Sequence, residues 1–574
     1  MADIHPEICL DAVRLTGAEA VLRVLRAAYV KEVFGLASGK LSPLFRALAN
    51  DNGFLFTGVR HEASAAFMAT SVYAGTGRLA VCLGETGPGG LNLMGGLGGA
   101  WANNLAVLAI TSSNPMSMMA PARGAFSSTN NEKVFAPVTK WNATVRDPSR
   151  IPELLRQSIR AATSGRPGPV HLDIPTDVLG ASCVYSASEL DASPSSYISS
   201  PPVADAGDIN RAAELLATAK NPLIIAGGGV VRSGASVEVQ RLLDRLNCPG
   251  MTTQMGLGAI PSDHPCFIGQ GGFVGGSAVV RAIREADVVI AIGCRFSSFM
   301  WVDGPPKWTD APQRKLIQID IDPQAFGANV PIAIGLQGDA RRTVEALNDA
   351  LEQKAPACDL RWLEALVRER ASFNQGISTD NIGGLLHPAA LAKGVASFIK
   401  PDDLVTFDGG HTTFWSNEYT AALLPATRFH EPGMSHLGFG LPAAIGLAVT
   451  RPDRRAFCIT GDGSFGFSLQ ELDTARRYGV NVVTIVHNNG AWGVIRAAQK
   501  MRDFELGTDL SGTDYAAIAR GFGCHGEVVE RSDQIDGAMI RALDAGKPAV
   551  IDARVAWVPH PMFKTFGGST SSRT

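Results

Sequence analysis

Residues 461–489 read GDGSFGFSLQELDTARRYGVNVVTIVHNN, and this stretch decides the fold of the region around it. Its pattern predicts a βαβ unit, with a strand at 455–460, a helix at 468–478 and a strand at 480–486. A right-handed crossover places the carboxyl ends of both strands at one edge of a parallel sheet. Asp462 and Asn489 should therefore meet as hard oxygen ligands, which suits a Mg²⁺ ion that holds a diphosphate.

Two other interpretations of this stretch compete with a metal site. GDGSFG matches G-x-G-x-x-G, the fingerprint of dinucleotide-binding folds. That fingerprint needs an acidic side chain at the end of the next strand, where this chain has Asn488 and Asn489. Asp462 would also repel a bare pyrophosphate unless a cation lay between them. The other alternative is an ordinary glycine turn of an α/β domain.

The composition excludes several classes of protein. The 574 residues are 45% hydrophobic with a formal net charge of −3, so the chain can bury several cores and shows no basic surface for nucleic acid or a membrane. The apolar runs are strand-sized, and the N-terminus lacks the pattern of a signal peptide. The nine cysteines form no C-x-x-C pair, so we expect no zinc site or disulfide framework and a cytoplasmic protein.

Alternating helix and strand patterns divide the chain into three α/β blocks. Parallel sheets with helices on both faces are the simplest architecture, so the predicted fold class is α/β with three doubly wound parallel-sheet domains. Two segments without clear periodicity separate the blocks, and the first is rich in Ser and Pro. The predicted parts are an N-terminal domain at 1–185, a linker at 186–204, a middle domain at 205–352, a linker at 353–386 and a C-terminal domain at 387–574.

The first and third blocks carry further glycine-rich turns and one acid of interest. Glu62 ends the tripeptide RHE and opens an alanine-rich helix; a helix-start acid favoured by the helix dipole is the alternative to a catalytic role. The loop at 84–90, GETGPGG, would let a backbone approach a ligand, although a tight strand–helix connection explains it equally well. Similar turns lie at 408–413 and 433–442, and each alone is a weak signal.

Together, these motifs resemble the thiamine diphosphate-dependent decarboxylase and acetohydroxyacid synthase superfamily, in particular its acetohydroxyacid (acetolactate) synthase branch. The resemblance runs in order through nearly the whole chain. Its motifs are VFGLASG, RHEASAAFMA, TGPGGLN, PVHLDIPTDV, PLIIAGGGV, IQIDIDP, GFGLPAAIG, GDGSFGFSLQEL and the final NN. The resemblance implies a pyrimidine-binding N-terminal domain, a middle domain and a C-terminal domain that binds the cofactor diphosphate and Mg²⁺.

The resemblance also implies roles for individual residues. Glu62 would be catalytic: it would hydrogen-bond N1′ of the cofactor's aminopyrimidine and so promote removal of the thiazolium C2 proton. Leu437 would wedge the cofactor into a bent shape, and the backbone of Ser435 would accept a hydrogen bond from its 4′-amino group. The implied metal ligands are Asp462, Asn489 and the carbonyl of Ala491, and the other implied cofactor contacts are Gly87, Pro88, Gly410, His411, Gly461, Gly463 and Ser464.

Departures from the family pattern bear on the substrate. Synthases have Phe-Gln-Glu where this chain has FSS at 126–128, so the short hydroxyl of Ser127 replaces a long amide and the acceptor pocket should differ. Trp492 is predicted to line the pocket, with packing in the core as the alternative. The full set of predicted pocket residues is Ser38, Ser127, Trp492 and Ile495.

The resemblance also has implications for nucleotide binding by the middle block and for the assembly of subunits. Related synthases hold FAD where this chain has Arg295, Asp320 and Asp322, whereas other relatives bind ADP or no nucleotide, and these alternatives stay open. In this family Glu62 and the diphosphate site come from different subunits. A homodimer is therefore the smallest expected active unit, and a homotetramer is common.

We predict an enzyme that uses thiamine diphosphate and Mg²⁺ to form or cleave a C–C bond next to a carbonyl, by decarboxylation of a 2-oxo acid, by carboligation, or by both. The expected substrates are a 2-oxo acid, an aldehyde or an acyl-CoA, with neither nucleic acid nor membrane as a partner. The alternatives are a 2-hydroxyacyl-CoA lyase or a sulfoacetaldehyde acetyltransferase-like activity. A catalytically silent paralogue that only binds the cofactor is the alternative from another class.

Overall fold

The computed structural model describes residues 11–119, 123–272, 275–297, 300, 308, 311, 313–354, 358–375 and 377–561. The chain forms two compact units, Met1–Ser200 and Pro201–Thr574. The first unit contains one six-stranded parallel sheet and a two-stranded antiparallel ribbon, and the second contains two six-stranded parallel sheets. The predicted fold class, three parallel-sheet α/β domains, is confirmed.

The first unit alternates strands and helices. Its elements are β1 (Ala12–Thr16), α1 (Gly17–Ala27), β2 (Glu32–Gly35), α2 (Ser42–Ala49), β3 (Leu55–Gly58), α3 (Glu62–Thr76), β4 (Val81–Glu85), α4 (Pro88–Asn103), β5 (Leu108–Ser112), α5 (Met116–Met119), α6 (Asn131–Phe135), β6 (Trp141–Thr144), α7 (Ile151–Thr163), β7 (Val170–Asp173), α8 (Thr176–Gly180), β8 (Ser182–Ser186) and α9 (Ala187–Leu190). The strand order is β3-β2-β4-β5-β7-β6, and β1 pairs with β8. The central strands are buried, as expected for a sheet covered on both faces.

The segment predicted as a linker at 186–204 is partly structured. Ser186 closes β8, and its hydroxyl then caps α9 by accepting a hydrogen bond from the backbone N–H of Glu189. Leu190 is fully buried in the core of the first unit. The expectation of unpatterned chain is therefore wrong for 186–190, because serine favours helix caps as well as linkers.

The second unit begins with the middle sheet. Its elements are α10 (Ala206–Thr218), β9 (Pro222–Ala226), α11 (Gly228–Ser233), α12 (Ser236–Leu246), β10 (Gly250–Thr252), β11 (Phe267–Gln270), α13 (Ser277–Glu285), β12 (Val288–Ile292), β13 (Lys315–Asp320), β14 (Ile334–Gln337), α14 (Ala340–Ala350) and α15 (Leu360–Gln375). The strand order is β11-β10-β9-β12-β13-β14. Asp205 and Asp339 cap α10 and α14 through their side chains, which satisfies backbone N–H groups that would otherwise lack partners.

Helix α15 lies inside the segment predicted as a second linker, 353–386, and that prediction is wrong for 360–375. Trp362 and Leu366 are buried in a hydrophobic cluster of the middle sheet. The indole N–H of Trp362 donates to Glu285 of α13 at 2.7 Å, and Arg370 donates to the carbonyl of Phe267 at 3.0 Å. Eight of the sixteen residues of the helix are apolar, so the sequence carried a helical signal that the linker prediction did not use.

The C-terminal sheet completes the second unit. Its elements are α16 (Pro388–Ala396), β15 (Leu404–Asp408), α17 (Gly410–Tyr419), β16 (Arg428–Phe429), α18 (Gly440–Thr450), β17 (Ala456–Gly461), α19 (Asp462–Phe465), α20 (Glu471–Arg477), β18 (Val482–Asn488), α21 (Gly493–Lys500), α22 (Tyr515–Gly521), β19 (His525–Val529), α23 (Ile535–Asp544) and β20 (Ala549–Arg554). The strand order is β16-β15-β17-β18-β20-β19. Within the described ranges of the whole chain, no helix is both long and apolar enough to cross a membrane.

The strands of the predicted βαβ unit at 455–488 are present with shifted ends. Strand β17 extends to Gly461, which pairs with His487, and β18 extends to Asn488, which pairs with Arg554. The helix predicted at 468–478 is present as the shorter α20, and a further short helix, α19, precedes it and is separated from it by turns at 466–470. Helix α19 begins directly at Asp462, so the backbone turns immediately after the strand.

Candidate active site

The carboxyl ends of β15, β17 and β18 lie side by side in the C-terminal sheet. In the register of these strands, Asp408 pairs with Thr460 and Gly461 pairs with His487. Loops that leave one edge of a parallel sheet come together, which is where ligands of α/β folds bind. A cavity of about 410 Å³ opens here. It is lined by all the predicted site residues of this sheet, namely Gly410, His411, Ser435, Leu437, Gly461, Asp462, Gly463, Ser464, Asn489, Ala491, Trp492 and Ile495.

The carboxylate of Asp462 is buried, and one of its oxygens lacks a hydrogen-bond partner among the described residues. Its residue is 3% exposed, and within the described ranges Oδ2 has no hydrogen-bond partner. Burial raises the pKa of Asp462 to about 6, although N–H groups of Gly463 and Gly490 partly oppose this. The phenol of Tyr515 donates to the Asp462 carbonyl at 2.9 Å and holds the backbone. A buried oxygen left without a partner is costly, and a bound cation would remove that cost.

Asn489 and Ala491 lie beside Asp462 on the loop after β18. Oδ1 of Asn489 accepts a hydrogen bond from the Ala491 N–H at 3.0 Å, so the loop holds its own side chain in place. The neighbouring asparagine, Asn488, is used differently, since its amide donates to Asp552 at 2.8 Å inside the sheet. The two asparagines therefore divide between a loop position in the cavity and a structural position in the sheet.

The ring of His411 is engaged by the protein itself. Nε2 lies 2.6 Å from the carbonyl of Val558 and donates to it, and Nδ1 lies 3.5 Å from the amide nitrogen of Asn489. Burial lowers the pKa of His411 to about 4, so the ring is neutral at neutral pH. The predicted diphosphate contact is consequently left to the backbone N–H of His411 in the first turn of α17, and the side chain holds neighbouring groups in position.

Glycines leave room for a ligand at this edge. Gly409 has φ of +83°, which an L-side chain rarely adopts, and it turns the chain from β15 into α17. A Cβ atom on Gly410 would lie 2.7 Å from Val494, and one on Gly463 would overlap the ring of Trp492. The backbone N–H groups at the start of α17, the glycines and the Asp462 carboxylate together fit a diphosphate held by a divalent cation.

The turn that carries Ser435 and Leu437 is held by two buried carboxylates. Glu431 accepts hydrogen bonds from the backbone of Met434 and His436, at 2.9 and 2.8 Å. Asp408 accepts from Gly438 and Gly440, and burial raises the pKa of Asp408 to about 6. Ser435 has φ of +50°, so its peptide groups are presented in an orientation that ordinary residues seldom adopt.

Trp492 and Ile495 border the cavity in different ways. The indole of Trp492 lies against Gly463 and edge-on to Phe467, with ring centroids 6.3 Å apart. Ile495 is 52% exposed on the first turns of α21, so it is not a core residue in this chain. Both positions stay predicted pocket residues.

In the first unit, Glu62 opens α3 and faces α4. It is 8% exposed, and its Oε2 accepts a hydrogen bond from the amide of Asn92 at 3.0 Å. A Cβ atom on Gly89 would lie 3.2 Å from Oε1, so the glycine leaves that oxygen accessible. Small residues bring the two helices close together, since a Cβ atom on Gly96 would lie 2.5 Å from that of Ala66. The carboxylate is therefore buried, oriented by one amide and adjacent to the glycine-rich loop.

The other predicted residues of the first unit gather at the carboxyl ends of β2 and β4. Gly87 has φ of +79°, and Pro88 occupies the first turn of α4. Ser127 has φ of +53° and packs closely on Gly87. A Cβ atom on Gly87 would lie 2.8 Å from the Ser127 carbonyl. Ser38 follows β2, the parallel neighbour of β4. The structure thus places these four predictions at one edge of the sheet.

Four residues of this edge were not singled out from the sequence. Thr129 accepts a hydrogen bond from the Gly87 N–H at 3.1 Å, and Asn92 orients Glu62. Lys40 and Glu85 form an ion pair of 3.1 Å. Lys40 and Glu85 lie within two residues of Ser38 and Gly87, and this nearness was the available signal.

The predicted FAD or ADP residues lie at the ends of β12 and β13. Asp320 accepts a hydrogen bond from the backbone of Asp322 at 3.0 Å, and the Arg295 carbonyl accepts one from Asn329. The glycines at this edge pack on one another's backbone, because a Cβ atom on Gly227 would overlap the Gly293 carbonyl. Internal packing therefore explains these glycines without a nucleotide, and the nucleotide stays a prediction.

Comparisons with known proteins bear on the whole chain. Three domain families match it: the N-terminal TPP binding domain of thiamine pyrophosphate enzymes at 15–134, their central domain at 209–347 and their C-terminal TPP binding domain at 408–553. The probable acetolactate synthase large subunit of Methanocaldococcus jannaschii is 32% identical over 94% of this chain and 91% of its own length. The acetolactate synthase isozyme 2 large subunit of Escherichia coli is 31% identical over 94% and 96%. The chain belongs to the family of thiamine pyrophosphate (diphosphate) enzymes, in its acetolactate synthase-like branch.

Proposed function

We propose that the protein is a thiamine diphosphate- and Mg²⁺-dependent carboligase of the acetolactate synthase type. It releases CO₂ from one 2-oxo acid and joins the remaining fragment to the carbonyl carbon of a second oxo acid or an aldehyde. The observation that carries the proposal is the buried carboxylate of Asp462, which has one oxygen without a hydrogen-bond partner among the described residues and lies in a glycine-lined cavity. The similarity to acetolactate synthase large subunits supports the same chemistry.

The protein's own residues would hold the cofactor and control one proton. Asp462, Asn489 and the Ala491 carbonyl would bind Mg²⁺, and backbone N–H groups at the starts of α17 and α19 would bind the diphosphate. Glu62 would share a proton with the pyrimidine nitrogen N1′, a role that its burial and its hydrogen bond from Asn92 support. When bound, thiamine diphosphate supplies a carbon nucleophile that adds to a carbonyl.

A homodimer, with a tetramer as the larger form, and a cytoplasmic location belong to the same proposal. The assembly is supported by the similarity to the synthases and by the position of Glu62 and Asp462 in separate compact units. The eight described cysteines are all free thiols, which supports a reducing compartment.

The test is exchange of the C2 proton of bound thiamine diphosphate for deuterium, measured by NMR after acid quench. Glu62→Gln should slow the exchange by about 10²- to 10⁴-fold while the cofactor still binds, because the positioned acid–base partner is lost. Glu153→Gln is the matched control, since Glu153 is also a first-turn acid, on α7. Exchange at the wild-type rate in Glu62→Gln would refute the assignment of Glu62, and no exchange in the wild type would make the protein a silent binder.

A further inference from the structure

Lys40 and Glu85 form an ion pair at the carboxyl ends of β2 and β4. The ammonium of Lys40 donates to Oε1 of Glu85 at 3.1 Å, and the backbone N–H of Lys40 donates to Oε2 at 3.2 Å. One lysine thus engages both carboxylate oxygens. The two side chains are 15% and 21% exposed, although lysine and glutamate are usually solvated. Shielding an ion pair from water costs free energy, so the position of this pair calls for an explanation.

Further contacts tie this pair to the predicted pocket. The Lys40 ammonium also donates to the carbonyl of Phe126 at 3.3 Å and lies 5.7 Å from the centroid of that ring. The Lys40 carbonyl accepts a hydrogen bond from Ser112 at 2.9 Å. Ser127, the next residue after Phe126, packs on Gly87. Lys40 therefore lies two residues after Ser38 in the chain and contacts the residue before Ser127, and both serines were predicted to line the substrate pocket.

The ammonium has donor capacity left for a ligand. It carries three hydrogens, and within the described ranges it has two acceptors, Glu85 and Phe126. Burial acts to raise the pKa of Glu85, but hydrogen bonds from Lys40 outweigh it and leave that pKa below its usual value. The glutamate is therefore ionised at neutral pH and neutralises the lysine charge when no anionic ligand is bound. The ring of Phe126 beside it is 86% exposed and offers an apolar wall.

The chemistry of the reaction says which anion an ammonium here would bind. The donor loses its carboxylate as CO₂, so a cation that held that carboxylate would stabilise the ground state over the transition state and slow the step. The acceptor keeps its carboxylate throughout. A fixed ammonium consequently helps only if it binds the acceptor.

We propose that Lys40 is a specificity-determining residue whose ammonium binds the carboxylate of a 2-oxo acid acceptor, with Glu85 as the residue that positions it. This inference rests on the proposed carboligase function. It assigns the substrate class of the acceptor pocket, where Ser127 gives the chain a shorter side chain than the synthases have.

The experiment compares two acceptors that differ in charge. Full-length protein with thiamine diphosphate, Mg²⁺ and saturating pyruvate as donor receives either 2-oxobutanoate or its uncharged methyl ester, and kcat/KM for each acceptor is read by product mass. For Lys40→Met, the ratio of kcat/KM for the anion to that for the ester should fall by about 10- to 100-fold, mainly through KM, since a hydrogen-bonded charge is lost. Lys40→Arg should restore part of the ratio.

Glu85→Gln separates recognition from a merely structural ion pair. It removes the competing negative charge, while the Gln carbonyl oxygen can still accept a hydrogen bond from the ammonium and position it, so the ratio should not fall. Arg78→Met is the matched control, because Arg78 pairs with the buried Glu32 at 2.7 Å at the opposite ends of the same two strands. Its ratio should equal that of the wild type.

Three outcomes are informative. If Lys40→Met and Glu85→Gln lower kcat/KM for both acceptors alike, the pair only holds the loop and the inference is overturned. If Lys40→Met does not fold, as shown by its melting temperature, the ratios of Lys40→Arg and Glu85→Gln decide between the same two interpretations. If the wild type releases no cofactor-dependent CO₂ from 2-oxo acids, the proposed function itself fails, and this inference with it.

Discussion

Gly463 shows how a single missing Cβ atom makes room in the cavity. A Cβ atom at this position would overlap the ring of Trp492, whereas the glycine lets the ring lie against the backbone beside the cavity that we propose as the diphosphate cradle. Trp492 is half-buried beside the cavity, and its ring packs on the backbone of Gly463. The contact therefore joins Gly463 at the start of α19 to Trp492 on the loop before α21.

Gly463→Ala should weaken thiamine diphosphate binding by about tenfold or more. Overpacking of this kind costs about 1–3 kcal/mol, and Trp492 can relieve it only by moving into the cavity. The dissociation constant, measured by quenching of tryptophan fluorescence, checks this. Gly521→Ala is the control, because no atom of the described residues lies within 4 Å of a Cβ atom there. Equal affinity in the two variants would contradict the proposed cradle.

At the scale of elements, α15 packs on the middle sheet although it lies in a segment predicted to be a linker. Leu366 is fully buried in the cluster beneath it, and Leu360 at its start is 54% exposed. The helix covers strand β11 at the edge of the middle sheet, which would otherwise expose apolar side chains and unpaired backbone groups.

Leu366→Ala should destabilise the second unit by about 2–5 kcal/mol, the usual cost of such a cavity. We expect a lower midpoint of chemical denaturation and faster proteolytic cleavage within 358–375. Leu360→Ala should leave both measurements near wild type, since it removes little buried surface. Similar behaviour of the two variants would mean that the segment is a linker after all.

At the scale of the whole molecule, the two residues proposed to act on the cofactor lie in different compact units. Glu62 lies in the unit Met1–Ser200, and Asp462 lies in the unit Pro201–Thr574. The proposed homodimer joins Glu62 of one chain to Asp462 of another. This arrangement makes an assembly, rather than a chain, the catalytic unit.

Co-expression of two inactive chains tests that arrangement. Glu62→Gln and Asp462→Ala should each be inactive, but random pairing makes half of the dimers mixed, and each mixed dimer has one intact site. The unselected mixture should therefore recover about a quarter of wild-type turnover per site. The separately purified variants are the control. If each chain builds its own site, the mixture stays inactive.

The alternation of apolar runs with glycine turns was enough to predict three parallel-sheet domains, because strand burial and turn conformation are local demands of sequence. The same holds for Asp462 and Asn489, since each directly follows a strand of one βαβ unit. Helix α15 was missed although half of its residues are apolar, and which of them are buried depends on strands distant in the chain. The linker predicted at 186–204 failed in part for a related reason, since the burial of Leu190 depends on the core of the first unit.

By itself, the sequence determined the fold class, the glycine turns and the carboxylates that follow strands, because each depends on neighbours along the chain. Only the tertiary structure decided how these residues are used. It engaged the ring of His411 with Val558 and Asn489, left Oδ2 of Asp462 without a partner among the described residues, and brought Lys40 against Glu85 and Phe126. Such pairings join loops from different strands, and their distances depend on sheet register and burial, which local sequence does not encode.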